Sequence, residues 1–166
     1  MGRAPRTSLP DGYFHVYARG ARGRELFCDD EDRAVFLRLL AREEPRQHWL
    51  CHAFTLLSTH YHLVLETTRK SLSAGAHRLN GRYARHFNGR HGLFGHVFSD
   101  RFSARSIERE EHLFDACEYV ILNPVKAGLC ERVEEWPWSY SRFGLGDARW
   151  GRPTLPEEEC VDRLGR

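Results

Sequence analysis

The sequence has no apolar run approaching the roughly 18 residues that a membrane-spanning helix needs. It also lacks a C-x-x-C motif, and its five cysteines are widely spaced and odd in number. This pattern argues against both a disulfide framework and a zinc ribbon. No apolar stretch follows the basic N-terminal residues, so they do not resemble a secretory signal. These absences predict a protein of the reducing cytoplasm with no membrane segment.

Three signatures of nucleotide-binding and hydrolase sites are missing as well: G-x-x-x-x-G-K-[ST], G-x-G-x-x-G after a strand, and G-x-S-x-G. Hydrophobic residues nevertheless make up 41% of the chain and aromatic residues 12%. That is enough apolar surface for a core, which argues against a disordered chain. A length of 166 residues fits one domain. We place that domain at residues 1–145 and a polar tail at 146–166.

Charge is unevenly distributed along the chain, although the net charge is only +2. Residues 69–109 contain nine arginines and lysines but two acidic residues, whereas residues 110–166 carry a net charge of −5. A polyanion such as nucleic acid is one partner that would explain the basic segment. A solvated helix surface in a protein from a GC-rich genome is the other explanation, because arginines outnumber lysines 23 to 2. Charge alone leaves both open.

Hydrophobic periodicity predicts alternating strands and helices. Period-two runs rich in aromatic and β-branched residues predict strands near 13–18, 50–57, 60–66 and 97–105. Period-3.6 patterns predict helices near 30–44, 71–88 and 108–122, the last ended by Asn123-Pro124. The order matches an α+β, ferredoxin-like split βαβ fold. We expect an antiparallel sheet with helices on one face, plus an extra C-terminal helix.

The second and third strands are separated only by Ser58-Thr59, which predicts a hairpin. Neither residue favours the positive φ that a two-residue turn demands, so its register stays open. On the third strand, alternation places His60 and His62 on one face, about 6.6–7 Å apart at their Cα atoms. Two imidazoles at that spacing can converge on one metal ion. Two partly exposed histidines without a ligand are the alternative, because the chain has ten histidines.

Tyr119 lies off the apolar stripe of the last predicted helix, on a polar face. A phenol in that position can act as a nucleophile on a carbonyl or phosphorus centre. Asn123, one helical turn later, can offer an amide oxygen to a metal ion. The alternatives are an amphipathic tyrosine at the edge of the core and an asparagine that ends a helix before Pro124.

The segment 78–105 interleaves arginines with aromatic residues, a pattern that suits phosphate contacts and base stacking. The alternative is an amphipathic helix and a strand whose aromatic side chains belong to the core. The arginines are the more informative half of this pattern. The residues predicted to contact DNA are Arg78, Arg82, Arg85, Arg101 and Arg105.

Several short blocks of the sequence occur together in a recognisable order. They are Tyr13-Phe14-His15-Val16 with Arg19-Gly20, His60-Tyr61-His62, His96-Val97-Phe98 with Asp100-Arg101-Phe102, residues 119–129 (YVILNPVKAGL), and Trp136-Pro137-Trp138-Ser139-Tyr140. Over about residues 12–143, this succession resembles the single-tyrosine HUH transposases, particularly the REP-associated tyrosine transposases of bacteria. Ser58-Thr59 stands where that family more often has Pro-Asn, and Asp100 where it usually has Gly.

The resemblance implies a single-stranded DNA nuclease and strand transferase. By this resemblance, Tyr119 is the nucleophile that forms a 5′-phosphotyrosine bond, and His60, His62 and Asn123 hold a divalent ion, Mg²⁺ or Mn²⁺. The implied partner is single-stranded or hairpin DNA, and the protein acts as a monomer or a homodimer. A non-catalytic ferredoxin-like module that binds a nucleic-acid hairpin would explain the basic segment equally well. A hydrolase that uses water is disfavoured because no carboxylate base accompanies the histidines.

Overall fold

The structure is a computed structural model that describes residues 11–144, so the predicted tail at 146–166 lies outside the described residues. The strands are β1 (Gly12–Arg19), β2 (Leu50–Leu56), β3 (His60–Thr67), β4 (Ser103–Ile107) and β5 (Ser139–Ser141). The α-helices are α1 (Asp30–Gln47), α2 (Arg69–His91) and α3 (Glu111–Lys126), with short 3-10 helices at Ala21–Gly23 and Val133–Glu135. None of the described helices is long and apolar enough to cross a membrane.

The described strands form one antiparallel sheet in the order β4-β1-β3-β2-β5. Helices α1 and α2 pack on one face, against alternate residues of β1 and β3 such as Phe14, Val16 and Leu63. Helix α3 packs on the opposite face, against Ala53 and Val64. The α+β, ferredoxin-like prediction is therefore confirmed, and the extra helix is the one that covers the other face.

The face under α1 and α2 holds the larger core. Phe36 is fully buried, with its ring centroid 4.7 Å from that of Tyr61 and 5.3 Å from that of Tyr83. Both tyrosine hydroxyls donate hydrogen bonds, Tyr61 to Asn80 Oδ1 at 2.8 Å and Tyr83 to the carbonyl of Leu26. Burying these rings carries little desolvation penalty for the hydroxyls because each hydroxyl has an acceptor. Tyr61 therefore packs toward α1 and α2, as predicted, and His60 and His62 lie on the opposite face of β3.

All three predicted helices end too early, and two of the three predicted ends lie at a proline. Helix α1 continues through Pro45 to Gln47, and α3 continues through Pro124 to Lys126, so Asn123-Pro124 does not end it. Each proline is the third residue from the end of its helix. A proline there removes the hydrogen bond to the carbonyl four residues earlier, yet the helix continues for two more residues in each case. As a result, Asn123 belongs to α3 itself rather than to a following turn.

In the second half of the chain, one strand was predicted in the wrong place and another was not predicted. The strand predicted at 97–105 begins only at Ser103. Before it, the chain follows the end of β1 through isolated bonds, with the Ala21 amide donating to the Val97 carbonyl and the Ser99 amide to that of Arg19. Val97 is buried as a loop anchor, which is why the run looked strand-like. The three-residue β5 was not predicted because it is too short for a period-two signal.

The β2–β3 hairpin has a two-residue turn without positive φ at Ser58 or Thr59. Its carbonyls accept hydrogen bonds from outside the hairpin. The Ser58 carbonyl accepts from the Leu26 amide at 2.7 Å, and the Thr59 carbonyl accepts from the Gly20 amide at 2.8 Å. These tertiary bonds compensate for an unfavourable turn type. The register pairs Leu56 with Tyr61 and directs the flanking histidines toward the α3 face.

Candidate active site

The β1–β3 pairing builds a polar surface beside α3. Tyr17 lies directly opposite His62, and Arg19 lies opposite His60. Because side chains alternate along each strand, His15 shares this face with them. Sequence periodicity identified the two β3 histidines, whereas the β1 residues join the site only through long-range strand pairing.

The two predicted metal ligands are close together. The ring centroids of His60 and His62 are 5.1 Å apart. His60 Nδ1 lies 3.0 Å from Thr59 Oγ1, and His62 Nδ1 lies 2.9 Å from His15 Nε2. Each ring thus uses Nδ1 for a hydrogen bond and keeps Nε2 for another ligand, the arrangement typical of metal-binding histidines.

The histidine cluster is neutral at pH 7. Burial, followed by the nearby His15 and His60, lowers the pKa of His62 to about 3. Burial and the neighbouring Arg105 lower the pKa of His15 to about 4, and burial lowers the pKa of His60 as well. Because a metal ligand must present an unprotonated nitrogen, these shifts favour ion binding at neutral pH.

Tyr119 reaches this surface from α3. The apolar side of the helix, including Cys117 and Val120, is buried on the sheet, while Tyr119 remains 46% exposed. Its ring centroid lies 6.2 Å from that of His62 and 5.7 Å from that of His15. Lys126 Nζ lies 4.6 Å from the centre of the same ring. The phenol is therefore accessible, beside the histidines and next to a cation.

A cavity of about 650 Å³ connects these groups between β1, β4 and α3. Its lining includes His62, Tyr119 and Arg105 among the residues predicted from sequence, together with His15, Tyr17 and His112. Asn123 and His60 are not part of this lining. The Asn123 Nδ2 donates to the Tyr119 carbonyl at 2.8 Å, so its amide is turned toward its own helix. Its role as a third ligand stays a prediction.

Sequence reasoning gave no role to His15 or Tyr17. The motif around His15 contributed to the family resemblance, but only as part of a strand. The alternation Tyr13, His15, Tyr17 marks one face of β1, and that was the available signal. The alternation does not show which strand pairs with β1. It therefore could not show that this face of β1 lies beside His62.

The five arginines predicted to contact DNA have different surroundings in the structure. Arg105 lines the cavity beside Tyr119. Arg101 lines a separate groove of about 950 Å³ between α2 and the segment 95–102. Arg78 donates to Glu43 Oε2 at 3.1 Å, on the side of α2 that faces α1. Arg82 and Arg85 follow Arg78 at helical spacing and lie outside that groove.

The aromatic residues interleaved with these arginines mostly belong to the core. Tyr83, Phe87 and Phe102 are buried, in agreement with the core interpretation of the segment. Phe94 differs, because 94% of its surface is exposed. Among these core and loop aromatics, Phe94 is thus the one most available for base stacking.

A second group of ligand-type side chains lies on the other side of the sheet. Potential ligand atoms of Cys28, Asp32 and His91 lie within 4.8 Å of one another. The Asp32 carboxylate already accepts hydrogen bonds from Arg90 at 2.7 Å, His91 at 2.9 Å and the Cys28 amide at 2.9 Å. Since Arg90 and His91 already occupy both oxygens of the Asp32 carboxylate, this cluster is accounted for as an ion-pair network that joins the start of α1 to the end of α2.

Comparison with known proteins adds one result on the fold. No family model matches the chain, and no curated protein matches it. A solved structure of a REP-associated tyrosine transposase bound to a REP hairpin matches with a TM-score of 0.67 and 18% sequence identity, over 84% of this chain and 82% of that one. This chain therefore has the fold of that REP-associated tyrosine transposase.

Proposed function

We propose that the protein is a single-stranded DNA transposase or endonuclease that cleaves and rejoins hairpin-containing DNA through a 5′-phosphotyrosine intermediate. The observation that carries this proposal is the convergence of Tyr119 and His62, whose rings lie 6.2 Å apart at the edge of a cavity. The hairpin DNA held by the structurally related transposase supports a hairpin as the substrate.

In the proposed reaction, the Tyr119 hydroxyl loses its proton and its oxygen attacks the scissile phosphorus in line. An oxygen–phosphorus bond to Tyr119 forms, the bond from phosphorus to the 3′ oxygen breaks, and that oxygen takes up a proton to become a 3′-OH. The new ester conserves the phosphodiester energy, so a second 3′-OH can reverse the step without ATP. Lys126 Nζ lies 4.6 Å from the centre of the Tyr119 ring, which places a positive charge beside the proposed nucleophile.

The residues that would hold a divalent ion are His60 and His62, joined by Asn123 through its Oδ1. The two histidines fit this role because each keeps Nε2 for a ligand while Nδ1 is hydrogen-bonded. Imidazole donors suit Mn²⁺ better than Mg²⁺. When bound, the ion would supply a Lewis acid that stabilises charge on the scissile phosphate.

The DNA would contact two basic regions. Arg105 lines the cavity beside Tyr119, where a scissile phosphate must lie. The groove between α2 and the segment 95–102 is lined by Lys70, His77 and Arg101. Gly81 also lines it and, having no side chain, leaves the groove open at that point. This second region is well suited to a DNA backbone because it combines cationic side chains with open space.

That groove also favours the alternative function, a non-catalytic module that binds a nucleic-acid hairpin. Its cationic residues lie beside α2, whereas Tyr119 lies on α3 across the sheet. Binding there needs neither the histidines nor the phenol. The two functions therefore differ in whether a covalent bond to DNA forms.

The decisive experiment incubates the full chain with labelled hairpin DNA and Mn²⁺ and looks for a covalent adduct on a denaturing gel. Tyr17→Phe is the matched control for Tyr119→Phe, because Tyr17 lines the same cavity with its ring centroid 5.8 Å from that of His62. We expect the adduct with wild type and Tyr17→Phe, and none with Tyr119→Phe or in EDTA. Adduct formation by Tyr119→Phe would contradict the assignment. A wild type that forms none across hairpins with Mg²⁺ and Mn²⁺ would favour the binding module.

A further inference from the structure

His15 contacts one of the proposed metal ligands directly. Its Nε2 lies 2.9 Å from His62 Nδ1, and the two rings stack at an interplanar angle of 27° with centroids 5.1 Å apart. His15 is held in place by β1, where it pairs with Val64 on one side and Arg105 on the other. Its ring also meets that of Tyr119 edge-on, at 5.7 Å. It therefore touches both the proposed ligand and the proposed nucleophile.

The bond between two neutral imidazoles has two possible directions, and they differ in consequence. If His15 donates through Nε2–H, then His62 accepts at Nδ1 and must carry its own proton on Nε2. An Nε2 that carries a proton cannot bind a metal ion. If His62 donates through Nδ1–H, its Nε2 has a free lone pair. Only this second direction is compatible with an ion on His62 Nε2.

We propose that His15 is a positioning residue whose Nε2 accepts the Nδ1–H of His62 and thereby holds His62 in the tautomer and ring orientation that bind a divalent ion. The inference rests on the proposed function, because it assumes that His62 is a metal ligand. Hydrogen-bond partners of metal-binding histidines typically change metal affinity by about 10–100-fold when removed. The proposal thus predicts a weakened site rather than an abolished one.

The test measures Mn²⁺ affinity of the full chain without DNA, by the electron paramagnetic resonance signal of free Mn²⁺. His15→Phe keeps a ring but removes the acceptor, and His15→Gln restores an acceptor near the position of Nε2. We expect His15→Phe to weaken Mn²⁺ binding by roughly 10–100-fold, and His15→Gln to recover most of that loss. Tyr13→Phe, a control on the same face of β1 but outside the cavity lining, should bind Mn²⁺ like wild type. Thermal melting and DNA affinity in EDTA should be unchanged in all three variants.

Three results would overturn the proposal. One is wild-type Mn²⁺ affinity in His15→Phe. Another is an equal loss in His15→Phe and His15→Gln. The third is an electron spin-echo signal from three coordinated imidazoles in wild type, since His15 would then be a ligand itself.

The variant His62→Ala separates this inference from the proposed function. Unchanged Mn²⁺ binding in that variant would remove the metal site altogether, whereas a large loss there with no effect of His15→Phe would remove only the role of His15.

Discussion

The two faces of the sheet are covered to different extents. Helices α1 and α2 seal one face over a large aromatic core in which Phe36 is fully buried. Helix α3 alone covers part of the other face, with a small cluster that includes Ala53 and Val64. Beside that cluster, the same face opens into the cavity with His62. Since strand residues alternate, one sheet supplies a large core on one side and a polar surface on the other, and α3 covers part of that polar surface.

The strongest contrast between the faces should appear when the histidines are removed. We expect His60→Ala or His62→Ala to reduce DNA cleavage by roughly a thousandfold, because a Lewis acid contributes several kcal/mol and each ~1.4 kcal/mol is tenfold in rate. DNA affinity in EDTA should be nearly unchanged, because these side chains are not in the α2 groove. Cleavage assays and fluorescence anisotropy measure the two effects. Cleavage that is equal in wild type, in both variants and in EDTA would contradict a metal role.

The sealed face should dominate stability. Phe36→Ala removes a ring with no exposed surface, and we expect it to lower the free energy of unfolding by about 3–5 kcal/mol. Phe114→Ala is the matched change on α3, where the residue is 44% exposed and its ring meets that of Phe143 edge-to-face. There we expect a loss of about 1 kcal/mol or less. Urea unfolding compares them, and similar losses would mean that the two faces contribute equally to the fold.

The first three strands and the three α-helices were predictable because their signals are local. Alternation of buried residues such as Phe14 and Val16 marks β1, and helical spacing marks α1 to α3. The shared face of His60 and His62 follows from the same rule, and so does the off-stripe position of Tyr119. Local patterns gave these residues without any knowledge of what lies beside them.

The rest of the site depends on contacts between distant segments. The 2.9 Å contact of His15 with His62 exists only because β1 pairs with β3. Likewise, the ion pair of Arg78 with Glu43 requires α1 and α2 to lie side by side. The net charge of residues 69–109 could not predict that ion pair. It also could not show that Arg105 and Arg101 line two different cavities.

The sealed face also contains a buried acid whose titration should affect stability. Glu44 Oε1 accepts from the Cys51 amide at 3.2 Å, while Oε2 has no hydrogen-bond partner among the described residues. Burial raises the pKa of Glu44 from 4.5 to about 7. Between these values the folded state holds a proton that the unfolded state has lost, so stability present below pH 4.5 decreases as pH rises toward 7.

Glu44→Gln should remove this dependence. Its amide keeps an acceptor for Cys51 and carries no charge, so at pH 8 the variant should be more stable than wild type by up to about 3 kcal/mol. The difference should shrink toward pH 4.5. Unfolding curves of both proteins across pH 4.5–8 measure it. Parallel stability profiles would show that the carboxyl is not titrating in this window.

The smallest expected effect concerns the α2 groove. A Cβ at Gly81 meets no atom within 4 Å, and Gly81 lines the groove, whereas Gly89 is equally uncrowded on α2 but outside it. We expect Gly81→Leu to weaken binding of single-stranded hairpin DNA about tenfold, which is ~1.4 kcal/mol, and Gly89→Leu to leave it unchanged. Both should stabilise α2 slightly. Equal affinities would exclude the groove as a DNA contact.

The salt dependence of DNA affinity tests the same groove a second way. Affinity for single strands should fall with salt at a slope of roughly −0.7 per neutralised phosphate. Arg101→Ala should make that slope shallower by about one such unit. A slope that Arg101→Ala does not change would mean that this arginine is only a solvated surface residue.

We propose above all that Tyr119, on the open face, forms a covalent bond with DNA. Tandem mass spectrometry of the nuclease-trimmed adduct tests it most directly, because it identifies the residue that carries the nucleotide. We predict a 5′-phosphate-linked nucleotide on Tyr119. Attachment to Tyr17, which shares the cavity, or to the buried Tyr61 or Tyr83 would contradict the claim.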